Sequence, residues 1–222
     1  MPGLTLADLV ANRTMSAEMA ATLAVAGEER RSSLFVAIPR MAGKSTVAEA
    51  MLRFAPGGTP LRRLSRDAGP GLGIPPAPDG SYLLMSEISQ AGFSDYLWGE
   101  DVRTVFRAVA GGGFGLVTAL HAGGIDEAFE VITGENEVPD EHAAALELMV
   151  YVRSLGDWRN PTRRVVEAVY EVEGVEAGRP RAILLHRWSE ARNRFETVDA
   201  PVRIGSVANT YDKHLAAFRA VS

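Results

Sequence analysis

The sequence has no cysteine, so disulfides and thiolate metal sites are excluded. It has only two lysines, Lys44 and Lys213, and arginine carries nearly all of its positive charge. No excess of basic residues exists either: the net charge is −5, which leaves no global case for nucleic-acid binding. No apolar run approaches the roughly 18 residues needed to span a bilayer. The opening Met-Pro-Gly-Leu-Thr lacks the basic and apolar regions of a signal peptide, so a cytoplasmic location without membrane insertion is expected. What is present is ordinary for a soluble globular protein: 222 residues, 46% of them hydrophobic and 23% charged. That length suffices for one α/β core or one domain with a small extension.

One of the two lysines sits in a telling place. Leu34 to Ile38 is a short continuous apolar run, which suits a strand buried on both faces. A tight loop follows, ending in Gly43-Lys44-Ser45-Thr46, and then Val47, Met51 and Leu52 recur at helical spacing. Strand, loop ending in Gly-Lys-Ser, helix is the phosphate-binding arrangement. Backbone N–H groups of Arg40, Met41, Ala42 and Gly43 and of the helix start would face phosphate oxygens, aided by the helix dipole. Lys44 would bring a point charge to the outer phosphates, the Ser45 hydroxyl would hold Mg²⁺, and Thr46 would reach an inner phosphate oxygen. The full pattern has glycines where this chain has Ile38 and Met41. The competing reading is a plain strand–turn–helix with a chance lysine.

The rest of the chain alternates helix and strand signals. Thr5 is placed to cap a short helix with Leu6, Leu9 and Val10, and Ser16 a second over Ala17 to Arg30. Ala55 to Gly80 is dense in glycine and proline, with room for a strand only at Leu61 to Leu64. Arg62, Arg63 and Arg66 there form either a solvated basic cluster or a contact for phosphate or a partner. Tyr82 to Glu87 reads as a second buried strand ending in an acid, either a solvated terminus or a carboxylate that orders a Mg²⁺ shell. A helix is expected over Asp101 to Ala110, stopped by Gly111-Gly112-Gly113. A third buried strand, Phe114 to Leu120, runs into His121. A histidine there lies on the edge where α/β sheets bind ligands, and it either contacts a γ-phosphate or is structural. Ile125 to Ile132 and Ala143 to Leu148 read as helices, the latter feeding a strand over Met149 to Arg153. Val165 to Val172, Ala182 to Trp188 and Phe195 to Val198 are expected to form an antiparallel meander, and Val207 to Val221 a last helix.

Several of these motifs agree in order and spacing with one family. The chain resembles the RecA-like ATPase domain of the type II/type IV secretion, pilus-assembly and tight-adherence motor proteins, from about Leu4 to Val198. The segment Thr5 to Val10, the loop to Thr46, Leu83-Leu84-Met85-Ser86-Glu87-Ile88, Leu116 to Ala122 around His121, and Arg163-Arg164-Val165-Val166-Glu167 carry the likeness. It implies an α/β fold: a RecA-like P-loop core with a mostly parallel sheet, helices on both faces and a C-terminal antiparallel meander. Residues 1–32 would be a helical segment packed on a core of residues 33–222. ATP or ADP with Mg²⁺ would be the ligands, Arg40 to Thr46 the nucleotide-binding residues, Ser45 and Glu87 the metal contacts, and Glu87 and His121 the catalytic groups. Secretion or pilus proteins and further copies of the chain would be its partners. The family's acidic segment between its first two motifs is cut here to the Gly/Pro stretch, where Asp67 is the one acid before Asp79. Weak or regulated hydrolysis is therefore one expectation. A non-catalytic scaffold with a vestigial loop is the other.

Overall fold

A computed structural model describes residues 3–38, 41–157, 159–205 and 210–222. Helix α1 (Leu6–Ala11) starts at a full capping box: the Thr5 hydroxyl accepts the Asp8 N–H and the Asp8 carboxylate accepts the Thr5 N–H. Helix α2 (Ala17–Glu28) is capped by the Ser16 hydroxyl, which accepts the Met19 N–H. Its alanines make it slim enough to be buried nearly all round.

The strands form one eight-stranded sheet and one small ribbon. The sheet comprises β1 (Ser33–Val36), β2 (Leu61–Arg63), β3 (Tyr82–Met85), β6 (Gly115–Leu120), β7 (Leu148–Asp157), β8 (Asn160–Glu176), β9 (Arg179–Ser189) and β10 (Arg194–Thr197). Their spatial order is β2-β3-β6-β1-β7-β8-β9-β10. Pairing is parallel from β2 through to β7 and antiparallel from β7 out to β10. The expected meander therefore extends the parallel sheet rather than forming a separate layer.

Alternation along the strands divides the core in two. Phe35, Val117, Tyr82 and Val150 point to the face covered by α1, α2, α3 (Lys44–Leu52) and α7 (Thr210–Arg219). Leu34, Val36, Leu83, Leu116 and Met149 point to the other face. That face is covered by α4 (Glu100–Ala110), α5 (Ile125–Phe129) and α6 (Asp140–Ala143). Helices thus lie on both faces of the sheet, as parallel strands require. Gly27 lets α2 close on the end of α3: a Cβ at that position would lie 2.6 Å from the Met51 carbonyl oxygen. The C-terminal end of α3 is therefore packed tightly against α2.

Several expected boundaries move. The first strand ends at Val36, two residues early. Glu87 does not end the strand of Tyr82; it opens β4 (Glu87–Ile88), which pairs with β5 (Tyr96–Leu97) in the small ribbon. The helix from Ile125 becomes a π-helical turn over Glu130–Glu135. The helix expected over Ala143 to Leu148 lies earlier, at α6, and β7 starts at Leu148. The strands β7 and β8 run on to Asp157 and from Asn160, past Gly156 and Pro161. Among the described residues, no helix is long and apolar enough to cross a membrane.

Candidate functional site

Parallel pairing puts the C-terminal ends of β1, β6 and β3 side by side on one edge of the sheet. Val36 is level with Leu120, and Thr118 with Met85. The residues that leave those three ends are the loop to Lys44, His121 and Glu87. Their side chains converge. Lys44 Nζ lies 3.4 Å from Glu87 Oε2 and donates to the Leu120 carbonyl at 3.2 Å. It also lies 3.3 Å and 3.2 Å from the Nδ1 and Nε2 atoms of His121. Lys44 and Glu87 are 9% and 8% exposed, so the ion pair is largely removed from water. Its attraction is screened less than that of a surface pair.

His121 Nδ1 lies 3.0 Å from the Ala37 carbonyl oxygen. A carbonyl has no proton, so Nδ1–H is the donor and Nε2 carries the lone pair in the neutral ring. Nε2 then accepts from the Lys44 ammonium, and it stands 3.5 Å from Glu87 Oε1. Backbone groups at the ends of two strands thus orient both the lysine and the imidazole.

The loop itself has a left-handed residue on each side of Ala42: Met41 at φ +63° and Gly43 at φ +105°. Ala42 between them is buried and belongs to the core, while Met41 is 83% exposed. Gly43 is the N-cap of α3 and, having no side chain, makes no side-chain cap hydrogen bond. The nine-residue helix α3 thus begins at Lys44 with a glycine in the cap position, its dipole directed at the lysine end.

Two cavities flank the loop. One, of about 480 Å³, is lined by Leu9, Asn12, Met41, Thr46, Arg163 and Arg164 among others. The second, of about 440 Å³, lies between α3 and the sheet, with Lys44, Ser45 and Ser86 at its wall and Leu84, Val117 and Ala119 among its apolar lining. Arg53 and Arg63 also line it.

Of the residues singled out in the sequence, Lys44, Glu87 and His121 meet one another. Met41, Ala42, Gly43 and Thr46 line the first cavity and Ser45 the second. Arg40 lies outside the described residues. Arg62 is ion-paired to Asp79 at 2.6 Å, and Arg66 donates to the carbonyls of Phe93 and Tyr96. Asp67 lies on a 3₁₀ turn over Arg66–Ala68, its N–H donated to the Ser65 hydroxyl. Among the described residues, no three His, Cys, Asp or Glu side chains are grouped to hold a metal ion. Three contributors escaped sequence reasoning. The carbonyls of Ala37 and Leu120 have no side-chain signal. Arg164 stood in the Arg-Arg-Val pattern with no role attached.

No protein-family model matches the chain, and no curated protein matches it. Among solved structures it is similar to the crystal structure of the VirB11 ATPase from the Brucella suis type IV secretion system in complex with sulphate. The sequence identity is 18% and the TM-score 0.48, over 67% of this chain and 50% of that one. The chain thus spans half the length of that protein.

Proposed function

We propose that this chain is an ATP-binding protein of RecA-like architecture, related to the secretion and pilus motor ATPases, with slow or regulated hydrolysis. The observation that carries this is the meeting of Lys44, Glu87 and His121 at the start of α3. A lysine at the mouth of a helix N-terminus, with left-handed loop residues before it, suits a phosphate chain. The cavity at Met41, Thr46 and Arg164 offers space for the nucleoside half on the outer side of the loop. Leu4, Leu9 and Asn12 form part of its wall, which supports taking residues 1–32 and 33–222 as one unit.

The donor set fits Mg²⁺ of the kind that keeps most of its shell in phosphate and water. Mg²⁺ sites commonly use one or two protein ligands, and Ser45 and Glu87 are the residues that would hold it. The ion would offset charge on the phosphates when bound. The chain's own residues do the rest. Lys44 binds the outer phosphates, the α3 amides orient them, and His121 stands at the γ-phosphate end with its Nδ1–H held by Ala37. The 3.4 Å contact of Glu87 with Lys44 turns the carboxylate towards the ammonium rather than towards a water, which suits slow hydrolysis. The sequence resemblance extends the proposal to secretion or pilus proteins as partners, to self-association and to a cytoplasmic setting.

A second reading is favoured by one observation, the non-glycine residue at the left-handed position 41. On it, the loop is vestigial and the chain is a non-catalytic scaffold of a secretion or pilus assembly.

Thermal unfolding with and without Mg²⁺–ATP separates the two. A ligand at 100 times its Kd adds about 2.7 kcal/mol to the folded state. The first reading expects a rise in Tm with ATP that is lost in Lys44→Ala, and phosphate release that vanishes in Glu87→Gln. No rise with any nucleotide selects the scaffold.

A further inference from the structure

We infer that Arg164 is a positioning residue that clamps the loop before α3 into its left-handed kink, and so lets a methionine stand at position 41. The loop's importance rests on the nucleotide-binding reading above, but the clamp itself has a ligand-free readout.

The geometry starts from a conformational problem. Left-handed backbone is disfavoured for residues with a Cβ, and methionine has no side-chain group that offsets this locally. Met41 nevertheless has φ +63°. The residue is 83% exposed, so packing of its side chain does not hold the kink in place. The backbone is held instead. Arg164 Nε donates to the Met41 carbonyl oxygen at 3.2 Å.

The same side chain touches the second left-handed residue. A Cβ built on Gly43 would stand 3.3 Å from Arg164 Cδ, so the arginine stem lies directly over that glycine. One side chain therefore covers both left-handed residues, through its head at 41 and its stem at 43. Ala42 between them is anchored separately, buried in the core.

A clamp needs a fixed base, and this one has it. Arg164 belongs to β8 and pairs across to Ser154 of β7. The two residues that follow, Val165 and Val166, are fully buried. The residue before it, Arg163, is tied at two points: it donates to the Arg13 carbonyl at 2.9 Å and to Asn193 Oδ1 at 2.7 Å. Its guanidinium also lies 5.8 Å from the Trp188 ring centroid. The loop is thus clamped from a strand more than a hundred residues away, by an arginine whose backbone cannot drift.

The clamp makes a distinct claim: Arg164 is needed because residue 41 is not glycine. The test is a set of four variants, Arg164→Ala, Arg164→Lys, Met41→Gly and the double Met41→Gly/Arg164→Ala. Three quantities are read: the backbone NMR shifts of residues 41 and 43, which report φ; the Kd for Mg²⁺–ATP by calorimetry; and Tm. Arg164→Ala is expected to move the shifts of residue 41 out of the left-handed range without ligand. It should weaken ATP about tenfold, the scale set by the cost of left-handed backbone. Arg164→Lys should lie between it and the parent, since an ammonium can still donate to the carbonyl. The double variant should recover most of the lost affinity, because glycine adopts that backbone unaided.

Unchanged shifts at residue 41 in Arg164→Ala overturn the clamp, whatever happens to ATP. An ATP defect that Met41→Gly does not repair also overturns it, and assigns Arg164 to direct contact with the ligand. If the parent protein binds no ATP while the shifts still move, the nucleotide reading fails and the clamp stands.

Discussion

The carboxylate of Glu171, fully buried in β8, accepts the backbone N–H of Ile204 at 2.7 Å. It also accepts the N–H groups of Val202 and Arg203, at 2.7 Å and 2.9 Å. Three successive amides thus share one buried acid, and residues 202–204 are strapped to the sheet. Glu171→Gln turns part of the acceptor into a donor facing those amides. The expected loss is about 1–3 kcal/mol, the cost of a buried polar group left unsatisfied. Urea unfolding measures it. A loss near zero would mean that the three amide contacts contribute nothing to the stability of the fold.

Lys44 and Glu87 should be energetically coupled even without ligand. Removing one partner of a buried ion pair leaves the other charge uncompensated, whereas removing both does not. The single variants Lys44→Ala and Glu87→Ala should therefore sum to more destabilisation than the double variant shows. The expected interaction energy is about 0.5–3 kcal/mol, the range for contacting residues. Additive single effects would show that the 3.4 Å contact carries no free energy.

How much of this was legible in the sequence follows from the range of each interaction. The caps at Thr5 and Ser16 are settled within three residues, and both stand where the sequence puts them. The meeting of Lys44, Glu87 and His121 was legible because consecutive parallel strands deliver their C-terminal ends to one edge, so three separate motifs become one place. Longer-range effects were not. Glu87 leaves the strand of Tyr82 because Ile88 and Leu97 bury together and pair the short ribbon. The helix after Phe129 widens where Thr133 donates to the Phe129 carbonyl and lies within bonding distance of the Gly178 carbonyl at the far hairpin. The strands run past Gly156 and Pro161 because each continues the other's ladder into solvent, where no hydrophobic alternation marks them. Arg164 reaches the loop only through the register of β8.

Gly115 should not accept a side chain. A Cβ there would lie 2.7 Å from the Arg30 carbonyl oxygen and 2.7 Å from the Tyr82 ring, which is fully buried. Neither neighbour is the free end of a flexible chain, so the strand or the ring must shift. Gly115→Ala is expected to destabilise by about 1–3 kcal/mol, the usual cost of overpacking. Because β6 carries His121 at its other end, the variant also tests how rigidly the strand sets the site. Denaturant midpoints give the stability, and the His121 ring NMR shifts report any movement.

Acid should weaken the fold through His186. This ring is 1% exposed, and burial pushes its pKa down to about 4. Thr22 donates its hydroxyl proton to the Glu18 carbonyl, so His186 Nε2–H donates to Thr22 Oγ1 at 2.9 Å. Nδ1 faces the Thr197 hydroxyl at 3.3 Å. Both nitrogens are thus used by a neutral ring. In the unfolded chain the ring titrates near 6.5. Above that pH both states are neutral and the fold loses nothing. Between about 6.5 and about 4 the unfolded chain takes up a proton that the folded one refuses, so stability falls as pH falls. Below about 4 both states are protonated, and this contribution levels off at a loss on the order of 3 kcal/mol. Urea unfolding at pH 7 and pH 5 should show the slope, and His186→Gln should remove most of it. An equal slope in the variant would place the acid sensitivity among the carboxylates instead.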